Sequence, residues 1–196
     1  SYAPVAFIEP YNVRNARVLG FDNLSNLARQ QTIERARDEN RAVISEKLLL
    51  KQEYEQARQA GFLMFLPVFR RGAAHDTLDA RRGNIEGWFA AAFRMDDLIA
   101  GVLGEQAKGL NIELFDEGEI SSLSRLHGST QQSVSLYSTI ETIEIAGRKW
   151  SVRFSSLPEF EAKRDVTGER NALIAGVLLG ILLFLITWLL LRDRKR

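Results

Sequence analysis

Ala172 to Leu191 runs for 20 residues without a charged side chain and is followed at once by Arg192-Asp193-Arg194-Lys195-Arg196. A helix rises about 1.5 Å per residue, so such a run spans the roughly 30 Å hydrocarbon core of a bilayer with its backbone bonds closed internally. Lys and Arg accumulate on the cytoplasmic side of a span. The sequence therefore predicts a membrane helix at 172–191, a cytoplasmic basic flank at 192–196, and residues 1–171 outside. Ser1 opens the chain with neither a basic nor an apolar leader, and we expect the start to be missing.

About 170 residues remain outside the membrane, enough for an unstapled core. Residues 1–191 carry 22 basic and 24 acidic side chains, a net charge of −2. That balance gives no footprint for nucleic acid or acidic lipid. Cysteine is absent, which removes disulfides, thiolate nucleophiles and Cys-based metal sites together.

Leu24 to Asn40 reads as a polar-faced surface helix, with Asn23 or Ser25 as its N-cap. Ala42 to Leu50 and Gly61 to Phe69 read as strands, the second buried on both faces, and Pro67 is expected at an edge, bulge or strand end. Arg70 to Asn84 closes the unit as a loop or short helix. Gly87 to Phe93 is a second candidate buried strand. Met95, Leu98, Ile99, Val102 and Leu103 fall at i, i+3, i+4, i+7 and i+8, the buried stripe of an amphipathic helix. Apolar residues alternate at Leu110, Ile112 and Leu114, at Val134 and Leu136, and at Trp150, Val152 and Phe154, with a turn at Gly147. Asp116 to Gln132 reads as a mobile loop. The order of helix, strands, helix and strands makes an α+β chain.

These segments resemble the CHASE domain, an extracytoplasmic sensor found in front of histidine kinases and cyclic-nucleotide or cyclic-di-GMP enzymes. The resemblance is carried by Ile8-Glu9-Pro10, Gly20-Phe21-Asp22, Arg29 with Glu34 to Asp38, Gly61-Phe62-Leu63 and Leu66 to Phe69. It continues through Gly87, Phe93 to Leu98, and Trp150 to Pro158. It implies tandem PAS-like lobes, membrane-distal over 1–93 and membrane-proximal over 94–160, then a juxtamembrane linker at 161–171. The distal lobe would hold the ligand. Plant cytokinin receptors of this family read adenine with an acid on the distal helix, where this chain has Arg29. They also use a strand threonine, where this chain has Phe65. The exchanges leave an adenine N–H without its acceptor, so an anionic or amphipathic ligand suits Arg29 better.

If Phe65 faces a pocket, period-two alternation puts Leu63 and Pro67 beside it and Phe62, Met64 and Leu66 on the other face. Trp88, Ala91 and the Ser45 hydroxyl complete the candidate ligand-binding set. His75 and His127, in polar stretches without clustered carboxylates, suggest neither a metal site nor a catalytic triad. Asp96 and Asp97 fit the positive end of a helix dipole. No cofactor and no catalytic residue is expected. Ala172, Gly176 and Gly180 form a small-residue stripe that favours close helix contact and a homodimer.

The sequence thus points to the extracytoplasmic, periplasmic part of a receptor in the cell inner membrane. It would respond to a small molecule and signal to a histidine kinase or cyclic-di-GMP enzyme beyond Arg196. The rival expectation is a protein-interaction module whose pocket is filled by Phe62, Phe65 and Trp88.

Overall fold

The structure, a computed structural model, describes residues 2–51, 59–104, 108–128, 135–163 and 174–180. It is a mixed helix and sheet protein, in line with the α+β expectation. The chain opens with irregular residues that pair briefly at Pro4 and Asp22. Helix α1 follows at Leu27–Glu39, and its cap is Asn26 rather than Asn23 or Ser25. The Asn26 side chain accepts from the Arg29 amide at 3.2 Å, because Asp22 already caps a separate 3-10 turn at Asn23–Ser25. Asn40 ends α1 in the left-handed region at φ 50°, which asparagine tolerates.

The apolar stretch 42–50 is two short strands, β1 (Val43–Ile44) and β2 (Leu48–Leu49), split at Ser45. Both pair antiparallel with β3 (Ala60–Phe69), whose other side pairs with β4 (Ile85–Arg94). Short helix α2 (Leu78–Asn84) joins β3 to β4, capped by the Thr77 hydroxyl on the Ala80 amide. Helix α3 (Met95–Leu103) then leads to a second antiparallel sheet in the order β6-β5-β8-β7. Its strands are β5 (Leu110–Asp116), β6 (Arg125–His127), β7 (Ser138–Ile145) and β8 (Arg148–Ser156). Helix α4 (Pro158–Lys163) follows β8.

Alternation in β3 sorts its side chains onto two cores. Phe62 and, less deeply, Met64 join Ile44, Met95, Ile112, Leu114, Leu126, Trp150 and Val152 between the two sheets. Phe62 stacks on Phe93 at 4.9 Å and meets Trp150 edge-on at 5.2 Å. Leu63 and Phe65 point the other way, against Ile33 and Ala36 of α1, with Val43 and Leu50. Leu66, facing the inter-sheet side beyond the reach of the second sheet, stays exposed. Pro67 lies one residue before the register shift at Val68/Phe69.

Hydrogen-bond parity explains why Pro67 is tolerated. The Ser45 amide donates to the Leu63 carbonyl at 2.8 Å, and the Leu63 amide donates to the Ser45 hydroxyl at 3.0 Å, so Leu63 directs its polar groups towards β1. Residues 65 and 67 share that direction. Pro67 lies past the last β1 pair, Val43 with Phe65, where no ladder bond is forfeited. The same parity turns the polar backbone groups of Trp88, Ala90 and Ala92 outward from β4, away from β3.

Several expectations need correction. The strand at 87–93 exists but is not buried: Phe89 is 70% exposed and Ala90, Ala91 and Ala92 are exposed, because β4 is the sheet edge among the described residues. Val102 is 66% exposed, since it falls outside the stripe by which Leu98, Ile99 and Leu103 reach the core. Asp116 to Gln132 is not wholly loop: it contains β6, and Asp116 ends β5. Strand β7 begins at Ser138, after Leu136, while Val134 lies outside the described residues. The turn at Gly147 is where it was expected, with Ala146 and Gly147 both at positive φ.

Of the expected membrane span, only 174–180 is described; these residues are helical and exposed, and the rest of 172–191, with Ala172, lies outside the described residues. Among the described residues no helix is long and apolar enough to cross a membrane.

Candidate functional site

Helix α1 buries Arg29, Thr32, Ile33 and Ala36, one face of i, i+3, i+4 and i+7 spacing with two polar members. Ile33 and Ala36 seat its middle on Leu63 and Phe65. Thr32 returns its hydroxyl to the Ala28 carbonyl at 2.6 Å. Arg29 is only 5% exposed. Its Nη1 donates to the buried Asn23 Oδ1 at 3.2 Å, and its guanidinium lies over the Phe21 ring at 4.7 Å. The Lys51 ammonium approaches the same ring at 5.4 Å.

Arg29 has no carboxylate partner among the described residues, and burial pushes its guanidinium below its ordinary value. A guanidinium carries five donors, and the side-chain bond to Asn23 uses one of them. Asn23 is itself fixed, donating to the Ala3 carbonyl at 3.2 Å, while Asp22 accepts from the amides of Ala3 and Leu24. This is a cation-rich corner, built by the N-terminal segment and the first turn of α1, with chemistry suited to an anion.

The other candidate ligand residues have a different setting. Leu63 and Phe65 are packed between α1 and the sheet, Phe65 being 1% exposed. Trp88 packs beside them, and its indole Nε1 donates to the Ile33 carbonyl at 2.9 Å, so it pins α1 to β4. The Ser45 hydroxyl serves as backbone would, accepting from Leu63 and donating to the Glu46 carbonyl at 2.8 Å. Pro67 is half-buried and Ala91 exposed, and the β3 register places them on opposite faces. Gly176 and Gly180 are exposed, with open space where a Cβ would stand.

Two surface hollows lie elsewhere. One of about 560 Å³ is formed by Asn40, residues 72–76 and Arg81. The other, of about 380 Å³, lies between α3, β5 and β6 and carries His127 and Asp96 on its wall. His127 Nδ1 stands 2.5 Å from Asp96 Oδ1, so this histidine does have a carboxylate, supplied by a helix 31 residues earlier in the chain. Among the described residues no three His, Asp or Glu side chains are grouped to hold a metal ion.

A polar seam that the sequence did not reveal ties the first sheet and α1 to the second sheet. Asp116 accepts the Lys47 amide at 2.8 Å, from the kink between β1 and β2, and receives Arg148 Nε and Nη2 at 2.5 and 2.8 Å. Burial is the largest influence and works against the Arg148 charge, but the hydrogen bond and charge of Asp116, with the charges of Glu117 and Glu46, together outweigh it and hold the guanidinium above its ordinary value. Arg35 on α1 donates to the Gly147 carbonyl at the β7–β8 turn at 2.9 Å.

The family model of the CHASE domain matches residues 1–135 of this sequence, about two thirds of its length. The chain belongs to the CHASE domain family. CHASE domains are sensor domains, so the corner at Arg29 and the seam to the second sheet belong to a sensor. Among solved structures, the periplasmic sensory domain of the Campylobacter jejuni chemoreceptor Tlp1 is similar to this CHASE chain at 11% identity and a TM-score of 0.46. That match covers 72% of this chain and 58% of the other. No curated protein matches the sequence.

Proposed function

We propose that this CHASE domain is the extracytoplasmic sensor of a transmembrane receptor and that its ligand is a small anion, carboxylate or phosphate, taken at the Arg29 corner. The observation that carries the ligand class is the burial of a guanidinium whose one side-chain hydrogen-bond partner among the described residues is a neutral amide. A buried charge is costly unless paired, and a ligand oxyanion supplies the pair. Lys51 adds a second cation beside Phe21.

Transmission follows from the contacts of α1. A ligand that prefers one seating of the helix shifts Arg35 and with it the β7–β8 turn, while the Asp116 seam holds the sheets in register. Equal affinity for both seatings would move nothing. The two PAS-like lobes, the helix at 172–191, its dimerising stripe of Ala172, Gly176 and Gly180, and a kinase or cyclic-di-GMP enzyme as output complete the proposal. A second reading, a protein-interaction module, draws support from Leu63, Phe65 and Trp88, which occupy the α1 face of the sheet.

Thermal-shift screening of the chain against carboxylates and phosphates tests the ligand class. A ligand at a hundred times its dissociation constant stabilises the fold by about 2.7 kcal/mol, a rise of several degrees. A shift in the native chain that disappears in Arg29→Met supports the anion sensor. A shift that survives Arg29→Met moves the site elsewhere, and silence across the panel favours the interaction module.

A further inference from the structure

Strand β6 meets only the far half of β5: His127 stands opposite Leu114 and Arg125 opposite Phe115. It ends against Gly128, whose φ of +105° and close seat allow no side chain, since a Cβ there would lie 2.9 Å from the Ile112 carbonyl oxygen and 2.8 Å from Glu113 Cγ. Among the described residues, the part of β5 before Leu114 therefore has no strand beside it on that side. Helix α3 supplies the remaining wall, and the space enclosed is the hollow of about 380 Å³, a volume suited to a small molecule.

The wall of this hollow is sorted by chemistry. Ile99 and Leu103 of α3, with Leu110 and Ile112 of β5, form its apolar side, while Asp96, Asn111 and His127 supply polar groups. His127 Nδ1 stands 2.5 Å from Asp96 Oδ1. The carboxylate can only accept, so the neutral imidazole donates from Nδ1 and keeps Nε2 as an acceptor. Among the described residues no hydrogen bond reaches Asp96 Oδ2, His127 Nε2 or the Asn111 side-chain amide. The charge among the described lining residues is the Asp96 carboxylate, since the neighbouring Asp97 is paired with Arg94 at 2.6 Å.

We infer that this hollow is a second ligand site, separate from the Arg29 corner, and that it takes a small amphipathic amine. An ammonium brings donors to a site whose open groups on Asp96 and His127 are acceptors, and its hydrocarbon body lies on Ile99, Leu103, Leu110 and Ile112 in place of water. An anion would meet the Asp96 carboxylate and is rejected. Helix α3 continues directly from β4 of the first sheet, whereas β5 and β6 belong to the second. A bound amine thus ties α3 to the second sheet and favours one seating of the two sheets over another.

The probe is 2-phenylethylamine, with 2-phenylethanol as its neutral counterpart, each titrated by calorimetry into the 196-residue chain. Arg29 and Lys51 repel an ammonium, so the result does not depend on whether their corner holds an anion. The amine should bind at least about tenfold tighter than the alcohol, because only the amine makes a charge-assisted bond to the carboxylate. Asp96→Asn should abolish that preference, and Ile99→Trp, which fills the hollow, should weaken the amine about tenfold or more. The chain has two histidines, His75 and His127. With ring-labelled histidine, the His127 resonances should move as the amine is added while those of His75 stay, which locates the site even if a variant fails to fold. Absence of amine binding, equal affinity for amine and alcohol, a preference that survives Asp96→Asn, an affinity unchanged by Ile99→Trp, or unmoved His127 resonances each overturn the inference.

Discussion

The Arg35 guanidinium on α1 donates to the Gly147 carbonyl at 2.9 Å, across 112 residues of sequence and from the first layer of the molecule to the turn of the last hairpin. Gly147 stands at φ +78°, and a Cβ there would run into Arg35 and Arg41. Gly147→Ala therefore strains the turn and displaces the bond together. We expect a loss of about 1–2 kcal/mol in urea unfolding, and faster amide exchange in β7 and β8 while the middle of β3 keeps its protection. Arg35→Met should reproduce the faster exchange at the turn with a smaller loss of stability.

Asp116 holds the Lys47 amide and the Arg148 guanidinium at once and is nearly buried. Asp116→Ala leaves the Lys47 amide without its acceptor and the partly buried Arg148 with the exposed Glu117 carboxylate, 2.9 Å from its Nη2, as its remaining partner. The expected cost is about 3–5 kcal/mol. Asp116→Asn, which still offers one carbonyl oxygen, should cost less. If both substitutions unfold at the same urea concentration as the native chain, the seam does not hold the sheets together.

Asp38 is held down to about 2 by hydrogen bonds from Arg82 and Arg37, which outweigh its partial burial. A carboxylate lowered by folding contributes stability that is present above its unfolded value near 3.9 and lost as pH falls through about 2. Acidification from pH 5 to pH 2 should therefore weaken the native chain more than Asp38→Asn. Because Arg82 is exposed, solvent screens the pair, and the difference should stay under about 1 kcal/mol. Urea midpoints at the two pH values measure it.

Phe65→Thr opens a cavity between α1 and the sheet and leaves a hydroxyl there, at a cost of about 3–5 kcal/mol. Arg29→Met removes a buried guanidinium from the same helix face, and its stability should be unchanged or higher by about 1 kcal/mol. The contrast separates a residue kept for packing from one kept for binding. Equal destabilisation by the two would mean that Arg29 is structural.

Gly61 sits opposite Arg94 in the register, and a Cβ there would collide with the Phe93 carbonyl and press on Leu50 at 3.1 Å. Neither backbone nor core gives way cheaply. Gly61→Ala should cost about 2–3 kcal/mol, measured as a lowered urea midpoint.

Period and turn chemistry were enough to read β3, β5, β8, α3 and the Ala146-Gly147 turn from the sequence, because each buries a face with its own repeat. What covers a strand has no such local signal. The apolar run of β4 reads as core and, among the described residues, lies at an edge, since α1 spans β1 and β3 and is met from β4 by Trp88. Strand β6 is three residues in a polar stretch, too short to show alternation. The pairs that tie the molecule together, Lys47 with Asp116 and His127 with Asp96, join residues 69 and 31 apart, which only the sheet order brings side by side. At the candidate site Arg29 was legible as an unusual residue on a helix. Its neighbours Phe21, Asn23 and Lys51 were not, because the segment before α1 and the end of the β2 stretch deliver them separately.

Helix α1 rests on its sheet through one isoleucine, one alanine and a borrowed indole hydrogen bond, with a threonine and a guanidinium on the remaining buried positions. A face so poor in hydrocarbon gives the helix little grip. Under the proposed anion sensor, the work needed to tilt it falls within the reach of one small molecule, and the same sparse seat that weakens the fold would set how faint a chemical cue can be heard.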